Sequence, residues 1–566
     1  MAKPEQNLNA SLGDLQKQVD AALAELNLQH IVPRLWAHDH TVWKQDATEI
    51  GNRLGWLHSP EVMPGAIPEI TAFADEVRNA GFTHALLLGM GGSSLAPEVF
   101  RFTFGIKQGY LDLAVLDSTD PAAVLAYERR LDISKTLFIV STKSGGTVET
   151  FSFFRYFYNR TQEKVGRGKA GSHFVAITDP GSGLEITAQE CHFRKTFRND
   201  PNIGGRYSAL SYFGLVPAAL IGMDLGKLLG RAGNIAKTCL ATGAENSGAA
   251  LGAIMGECAV AGRDKVTLVT SPAIAHLGTW VEQLVAESTG KEGTGILPVD
   301  GEELGTPAVY ANDRLFVHLV VDGDSTHDQK MELLRKAGHP VVRLHLHDTY
   351  DLGGEFFRWQ IATVIAGWRL KINPFDQPNV ESAKVLARHM VSAYHKEGRL
   401  PEVKSTFEAN GIAVFTNLSG KDLQTAIQQF LAQGSIGRSY VSVQAYVPPT
   451  SQSDSLLNSM RLRIRDSSKL ATTVGYGPRF LHSTGQLHKG DAGHGLFIQF
   501  TSDAVEDVAI PDQAGEPASA ITFGVLKLAQ ALGDRQALLD AGRKVIRFHF
   551  EKEVASGLQQ ILQALR

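Results

Sequence analysis

The stretch HALLLGMGGSS, residues 84–94, decides the fold class of this chain. Its first seven residues make an apolar run of strand length, and the glycines and serines that follow make a tight turn. Similar apolar runs that end in polar turns occur at LDLAVLD (111–117), KTLFIVS (135–141) and HFVAITD (173–179). Helix-length segments separate these runs. The alternation predicts a parallel sheet with crossover helices, which is a doubly wound α/β domain.

The same alternation recurs twice further along the chain. A second set of strand candidates comprises KVTLVTS (265–271), DRLFVHLVVD (313–322) and HPVVRLHLH (339–347), and a third comprises GIAVFTN (411–417), YVSVQAYVP (440–448) and GLFIQFTSD (495–503). We therefore predict a helical segment over 1–60, two doubly wound α/β domains over 61–225 and 226–400, and a smaller C-terminal α/β region over 401–566. A long helical segment from about Phe523 is expected to end the chain.

The composition excludes several classes of protein. The 566 residues carry 55 Lys+Arg and 59 Asp+Glu, a net charge of −4, which argues against binding to nucleic acid or to a membrane surface. Three cysteines without a CxxC spacing predict neither a disulfide framework nor a zinc or redox site. The polar N-terminus has no signal core, and no run approaches the roughly 18 apolar residues of a membrane span, so the expected location is the cytoplasm.

The turn GMGGSS, residues 89–94, presents backbone N–H groups at a helix start, which suits an anion. Three interpretations are open: a dinucleotide-binding turn, with Asp117 as the ribose-binding acid, a purely structural turn, and a phosphate or sugar site. Ser94 stands where the dinucleotide fingerprint requires its third glycine, which weakens the first interpretation.

A second loop favours the phosphate interpretation. TKSGGT, residues 142–147, follows the strand KTLFIVS and opens a helix. Its hydroxyls can donate hydrogen bonds to phosphate oxygens, its glycines let the backbone approach, and the helix dipole favours the charge. The pattern GxxxxGK[ST] is absent, which disfavours a nucleoside triphosphate. An ordinary N-capping segment is the alternative, but a second loop of this kind beside GMGGSS makes it less attractive.

Three further motifs follow in order: NIGGRYS (202–208), AESTGK (286–291) and FDQPNVESAK (375–384). They are similar to the GGR[FY]S, ESNGK-like and FDQxxVExxK segments of the phosphoglucose isomerase family, within the SIS (sugar isomerase) superfamily. The resemblance extends from about residue 85 to 390. Beyond 400 the chain resembles the isomerase half of bifunctional transaldolase–phosphoglucose isomerase proteins.

The resemblance implies a cofactor-free enzyme that needs no metal and interconverts glucose 6-phosphate and fructose 6-phosphate through a cis-enediol(ate). It also implies a homodimer. A non-catalytic SIS module that senses a sugar phosphate is the alternative, although such a module has no use for the set Glu287, Arg206 and Lys384. A nicotinamide-linked oxidoreductase is a third, more distant hypothesis.

The chemistry of the reaction suggests roles for Glu287 and Arg206. Aldose–ketose isomerisation needs a carboxylate that moves a proton between C1 and C2, for which we expect Glu287, and a cation near the enediolate, for which we expect Arg206. The glycines before Arg206, Gly205 among them, let it approach a ligand closely. Gln283 lies one turn before Glu287 on the same helix face.

The remaining site residues are expected in two groups. Phosphate would be bound by Gly92, Ser93, Thr142, Lys143, Ser144 and Thr147, with Gln377 contributing as the resemblance implies. The resemblance also implies that Lys384 opens the sugar ring together with a histidine. The family's segment for that histidine, G[ST]xxQHA, is not found in 292–374, but a similar string, HSTGQLHKG, occupies 482–490 and nominates His488. A solvent-exposed loop histidine is the alternative.

Overall fold

The computed structural model describes residues 8–243, 245–401, 404–551 and 553–565. The strands, in chain order, are β1 (Leu8–Ser11), β2 (His84–Gly89), β3 (Asp112–Leu116), β4 (Thr136–Ser141), β5 (Phe174–Thr178), β6 (Lys195–Arg198), β7 (Lys265–Thr270), β8 (Leu297–Val299), β9 (Arg314–Val321), β10 (Val341–Leu346), β11 (Phe407–Ala409), β12 (Ile412–Phe415), β13 (Tyr440–Tyr446), β14 (Ala471–Tyr476), β15 (Gly495–Ser502), β16 (Ala509–Ile510), β17 (Ile521–Thr522) and β18 (Lys544–Phe550). The α-helices are α1 (Gln16–Leu28), α2 (Ile31–Trp36), α3 (Ser59–Val62), α4 (Ile67–Asn79), α5 (Leu95–Phe104), α6 (Pro121–Arg130), α7 (Val148–Val165), α8 (Gly183–Glu190), α9 (Tyr212–Leu220), α10 (Leu225–Thr238), α11 (Ser247–Val260), α12 (Leu277–Thr289), α13 (Asp328–Lys336), α14 (Leu352–Arg369), α15 (Val380–Glu397), α16 (Leu423–Leu431), α17 (Ser451–Ser468), α18 (Gly485–Gly490), α19 (Phe523–Asp540) and α20 (Val554–Ala564).

The first sheet is parallel throughout, in the order β3-β2-β4-β5-β6. Its central strands are apolar and buried along their length, because helices cover both faces of a parallel sheet. From β2 the chain crosses to β3, and from β4 it crosses to β5 on the other side. The strand order therefore reverses between β2 and β4, and a crevice opens there at the carboxyl ends of the strands. The loops GMGGSS and TKSGGT both lie at this point.

The second sheet has the order β1-β10-β9-β7-β8 and is parallel except for β1. Leu8 pairs with Leu344 and Ser11 with Val341 in antiparallel register. Residues 8–11 were expected to be helical and instead form this edge strand. The segment LNAS is short and mostly polar, so its pairing depends on the backbone of β10 and leaves no apolar pattern in the sequence.

The third sheet is mixed, in the order β11-β12-β18-β15-β13-β14. Its inner strands are parallel, whereas β11 and β12 are antiparallel at one edge. The chain does not end in one long helix, because α19 stops at Asp540 and β18 follows before α20. Polar residues such as Arg547 and His549 interrupt the apolar run of β18, which hides the strand in the sequence. The predicted fold class, two doubly wound parallel sheets with a smaller C-terminal α/β region, is confirmed, and the exact domain boundaries stay a prediction.

The C-terminal region meets the rest of the chain through α19, which packs along α15. The two helices approach so closely at Gly533 that a Cβ there would crowd the backbone of Ala387. This contact fixes the position of α15 relative to the third sheet. Within the part of the chain that the structure describes, no helix is both long enough and apolar enough to cross a membrane.

Candidate active site

Two glycine-rich loops meet at backbone distance beside the switch point of the first sheet. A Cβ on Gly92 would overlap the carbonyl oxygen of Gly205, and the Ser208 hydroxyl donates to the carbonyl of Gly92 at 3.3 Å. Gly91 has a φ of +53°, and a Cβ there would stand 2.8 Å from Gln283 Nε2. Glycine is therefore favoured at both positions: a side chain at Gly92 would separate the two loops, and one at Gly91 would collide with Gln283 and His482.

The guanidinium of Arg206 is buried and held from several sides. Its Nε donates to Ser288 Oγ, its Nη1 to Gln377 Oε1 and its Nη2 to the carbonyl of Pro374, each at 2.8 Å. Nη1 also lies 3.4 Å from Glu287 Oε1. The structure thus brings Arg206, Glu287 and Gln377, residues from three separate motifs, into direct contact around one fixed positive charge.

Helix α12 supplies both the acid and its neighbour. Gln283 Nε2 donates to Glu287 Oε2 at 3.1 Å and to the carbonyl of His482 at 2.8 Å. The Ser483 hydroxyl donates to Glu282 Oε1 at 3.0 Å. Helix α12 therefore holds the segment 482–483 of the C-terminal region. The Glu287 side chain keeps 14% of its surface exposed, so it is not sealed from solvent.

A cavity of about 660 Å³ lies between the TKSGGT loop, α15 and the C-terminal region. Its walls include Ser144, Thr147, Glu149, Lys384 and His482. Thr147 stands at the N-terminus of α7, where the helix dipole favours an anion, and its hydroxyl lies 2.9 Å from that of Thr142. The volume falls within the range of small-molecule sites.

Glu149 and His482 form a pair in the wall of this cavity. His482 Nε2 lies 2.9 Å from Glu149 Oε1, although the two residues are 333 positions apart. Burial acts to raise the pKa of Glu149, but the charge and hydrogen bond of His482, with a smaller contribution from Lys384, outweigh it and lower the pKa. The ionised carboxylate can only accept a hydrogen bond, so Nε2 carries a proton. In the uncharged tautomer of His482, Nδ1 is then the nitrogen that can accept a proton.

His488 is not among the residues that line the cavity, which corrects the expectation that it opens the sugar ring. It belongs to the short helix α18, is 1% exposed, and packs among the rings of Tyr440, Phe480 and Phe497. Its Nε2 has no hydrogen-bond partner among the described residues. Burial, together with the nearby charges of Lys489 and Arg543, holds the pKa of His488 well below its usual value. His482, the first residue of the same string, lines the cavity in its place.

Some of the predicted phosphate ligands do not line the cavity. Gly92, Ser93, Thr142 and Lys143 are not among the residues that line the cavity. The Lys143 ammonium pairs with Asp179 and donates to the carbonyl of Pro201 at 2.9 Å, so its charge is already engaged. Ser93 is buried, and its carbonyl accepts from the Ser141 hydroxyl at 3.2 Å. These residues shape the loops, whereas Ser144 and Thr147 face the cavity.

Lys291 is a site residue that sequence reasoning missed, although it ends the motif AESTGK. The side chain is 1% exposed, and its Nζ donates to Asp376 Oδ1 at 2.7 Å and also to the Asp376 carbonyl. That carbonyl accepts from Arg206 Nη2 at 3.1 Å as well. Burial and the adjacent Arg206 charge lower the pKa of Lys291 to about 8. Lys291 and Arg206 thus share the Asp376 carbonyl as an acceptor and together fix the segment 375–377.

This arrangement predicts an alkaline limit to activity. We expect kcat/KM to fall as pH rises through about 8, because neutral Lys291 loosens Asp376 and with it the loop that holds Arg206. The lowered pKa places this loss near pH 8 instead of above 10. A pH–rate profile measures this alkaline limb of kcat/KM. Lys291→Arg keeps its charge at all accessible pH values, so the limb should move upward, and an unmoved limb would assign it to another group.

The residues that could hold a metal lie at the second sheet, whereas the acid of the dinucleotide interpretation, Asp117, lies near enough to the cavity wall to feel the charge of His482. Asp322, His345 and His347 offer ligand atoms within 4.8 Å of one another on the second sheet, where two of the three are exposed. Asp117, which the dinucleotide interpretation requires for a ribose, is instead paired with Arg479 at 2.7 Å. That pairing leaves the dinucleotide interpretation without its acid.

Comparison with known proteins assigns the family. Residues 74–299 match the family model described as phosphoglucose isomerase. Glucose-6-phosphate isomerase of Carboxydothermus hydrogenoformans is 33% identical over 395 residues, which cover 58% of this chain and 83% of that protein. The chain belongs to the phosphoglucose isomerase family. Glucose-6-phosphate isomerase of Thermus thermophilus is 30% identical over 391 residues, which cover 60% of this chain and 90% of that protein.

Solved structures share the fold of this phosphoglucose isomerase family member. A hypothetical protein from Thermus thermophilus superposes with a TM-score of 0.59 at 26% identity, covering 68% of this chain and 99% of that one. A glucose-6-phosphate isomerase from Chlamydia trachomatis gives a TM-score of 0.59 at 16% identity over 69% of this chain and 89% of that one, a likeness of fold. The predicted family is confirmed, while the transaldolase connection stays a prediction.

Proposed function

We propose that this phosphoglucose isomerase family member interconverts glucose 6-phosphate and fructose 6-phosphate. The observation that carries the proposal is the contact between Glu287 and Arg206, 3.4 Å apart. Neither residue is among those that line the cavity, but Gln283 joins Glu287 to His482, which does. A carboxylate and a fixed cation beside it are the two groups that a proton transfer through an enediolate needs.

The sugar phosphate enters with its phosphate at the N-terminus of α7. Ser144 and Thr147 face the cavity there and donate hydrogen bonds to phosphate oxygens. Binding energy from the phosphate, which does not react, positions the distant carbonyl carbon. We assign ring opening to His482 and Lys384, which line the same cavity. Nδ1 of His482 accepts the proton of the anomeric hydroxyl, and Lys384 donates to the ring oxygen as the C1–O5 bond breaks.

Isomerisation of the open chain follows at Glu287. The carboxylate removes the proton from C2 of the aldose, the C2–H electron pair forms the C1–C2 double bond, and the carbonyl oxygen becomes an enediolate. Arg206, which is held in place by Ser288, Gln377 and Pro374, stabilises that negative charge without moving. Glu287 then returns the proton to C1 while the proton of O2 moves to O1, so that C2 becomes the carbonyl carbon and C1 carries the hydroxyl of the ketose.

A sugar-phosphate sensor without catalysis is the competing hypothesis. Such a module needs the hydroxyl loops only, whereas Arg206, Glu287 and Lys291 form a buried charged cluster that is expensive to assemble. A coupled assay decides between them: fructose 6-phosphate is supplied without metal or cofactor, and glucose 6-phosphate is detected by a dehydrogenase. Turnover supports the isomerase, and binding without turnover supports the sensor. The homodimer expected from the family stays a prediction.

The phosphate site can be tested at Thr147. Thr147→Val should weaken binding of sorbitol 6-phosphate, an open-chain polyol phosphate that cannot isomerise, by about 1–3 kcal/mol, because a phosphate oxygen loses its donor. Isothermal titration calorimetry measures the change. Thr187→Val is the matched control, since that hydroxyl bonds the carbonyl of Gly183 on an exposed face of α8. Equal affinity in the wild type and in Thr147→Val would place the phosphate elsewhere.

A further inference from the structure

A buried amide of the C-terminal region touches the carboxylate that holds His482. Gln530, in the middle of α19, donates from Nε2 to Glu149 Oε1 at 2.7 Å, the same oxygen that accepts from His482. Gln530 Oε1 accepts from the Thr119 hydroxyl at 2.8 Å. All three partners are nearly inaccessible to solvent, with exposures of 0% for Thr119 and 4% for both Glu149 and Gln530. The result is one continuous hydrogen-bonded chain from Thr119 to His482.

The chemistry of the partners fixes the orientation of this amide. An ionised carboxylate only accepts hydrogen bonds, so the –NH2 group of Gln530 must face Glu149. The carbonyl then faces Thr119, whose hydroxyl can donate to it. The reversed amide would bring its oxygen against a negative oxygen in a buried place, which is strongly unfavourable. The Gln530 donor is therefore held in place from both ends.

The surrounding packing keeps α19 rigid at this point. Lys527, one turn earlier on α19, reaches Asp120 at 3.0 Å, and both side chains are almost fully buried. At the start of α19 the ring of Phe523 stacks on Phe153 of α7 with 5.9 Å between centroids. Helix α19 is thus attached both to the helix that carries Glu149 and to the loop that carries Thr119.

From this arrangement we infer that Gln530 is a positioning residue for ring opening. Gln530 holds Glu149 ionised and in place, and the Glu149 carboxylate then fixes the tautomer and the direction of the His482 ring. Gln530 also lines the cavity, but in this role it acts through Glu149 and not on the reacting atoms. The inference rests on the proposed function and extends it, because it makes the C-terminal region a determinant of one step only.

One variant of Gln530 separates ring opening from proton transfer between C1 and C2. Gln530→Met keeps the length of the side chain and removes the donor. We expect turnover of cyclic glucose 6-phosphate to fall about tenfold, a fraction of the roughly 10²–10⁴-fold that general acid–base catalysis supplies. Exchange of the C1 hydrogen of 5-deoxyfructose 6-phosphate, which lacks the hydroxyl that closes a ring, should stay within twofold of the wild type.

The pH profile provides a readout that a loss of packing would not move. Without the Gln530 donor the negative charge on Glu149 is less stabilised, so the His482–Glu149 pair takes up a proton more readily, and the acid limb of kcat/KM for the cyclic substrate moves up by about one pH unit. Gln499→Met is the matched control, because Gln499 is another buried glutamine of the C-terminal region, bonded to the carbonyl of Ala531 and absent from the cavity wall. Its acid limb should be unchanged.

The possible outcomes distinguish failure of the Gln530 inference from failure of the proposed function. A wild-type acid limb in folded Gln530→Met, or equal loss on the cyclic and open-chain substrates, overturns the inference while leaving the isomerase intact. A wild-type chain without isomerase activity overturns the proposed function instead. If Gln530→Met does not fold, Thr119→Val replaces it: loss of that hydroxyl frees the amide, so the limb must move in the same direction by less, and an unmoved limb counts against the inference.

Discussion

Glu287→Gln is expected to lower turnover by roughly 10²–10⁴-fold, the contribution typical of a lost general base. The amide preserves the shape of the side chain and can still approach Arg206, but it cannot take a proton from carbon. Exchange of the C1 and C2 hydrogens with solvent, followed by NMR in D2O, should fall by the same factor. Because the acid is only partly exposed and packs on Gln283, folding should be unaffected.

A matched variant distinguishes loss of the base from a loss of charge. Glu292→Gln removes an exposed carboxylate five residues further along, whose partner is Lys44 at 2.8 Å, and should turn over at the wild-type rate. Exchange at the wild-type rate in Glu287→Gln would show that another group is the base. KM should change little in either variant, because substrate binding depends mainly on the phosphate.

His482→Asn should have the second largest effect, and the effect should depend on the substrate. On cyclic glucose 6-phosphate we expect turnover to fall about 10²-fold, because the proton acceptor for ring opening is gone. Hydrogen exchange on 5-deoxyfructose 6-phosphate, which cannot cyclise, should remain within a few-fold of the wild type. A positioning defect would slow both reactions, so equal losses would rule out His482 as the ring-opening group.

His488→Asn is the natural comparison for that variant, since both histidines belong to one nine-residue string. His488 is packed among aromatic rings, and Asn would leave a void and a buried amide there. We expect a lower melting temperature with normal kcat per folded molecule. A selective loss of turnover on the cyclic substrate in this variant would restore the original assignment to His488.

Much of the architecture could be predicted because buried parallel strands leave continuous apolar runs. Strands β2, β4 and β5 follow that pattern, and the loops after β2 and β4 carry the glycines and hydroxyls that an anion site requires. β1 and β18 escaped prediction for a physical reason. Each is stabilised by backbone pairing with a distant strand, and the side chains of LNAS and KVIRFHF carry no uninterrupted apolar signal.

The candidate site could be predicted only where motifs are local. Arg206, Glu287 and Gln377 each sit in a recognisable segment, and the structure brings them together. The choice between His482 and His488 could not be made from their shared string, because it depends on which histidine meets the aromatic rings of Tyr440 and Phe497 and which meets Glu149. Those contacts join segments that are remote in the chain, as does the bond between Thr119 and Gln530 across 411 positions.

The long separation in sequence between Thr119 and Gln530 also determines when their hydrogen bond can form during synthesis of the chain. The first parallel sheet ends at Arg198 and can form early on the ribosome, but Glu149 meets its last partner, Gln530, 381 residues after it has been made. At about 5–20 residues per second those residues take roughly 20 to 80 seconds. A nascent chain therefore carries its phosphate loops for most of its synthesis without the helix that completes its ring-opening group.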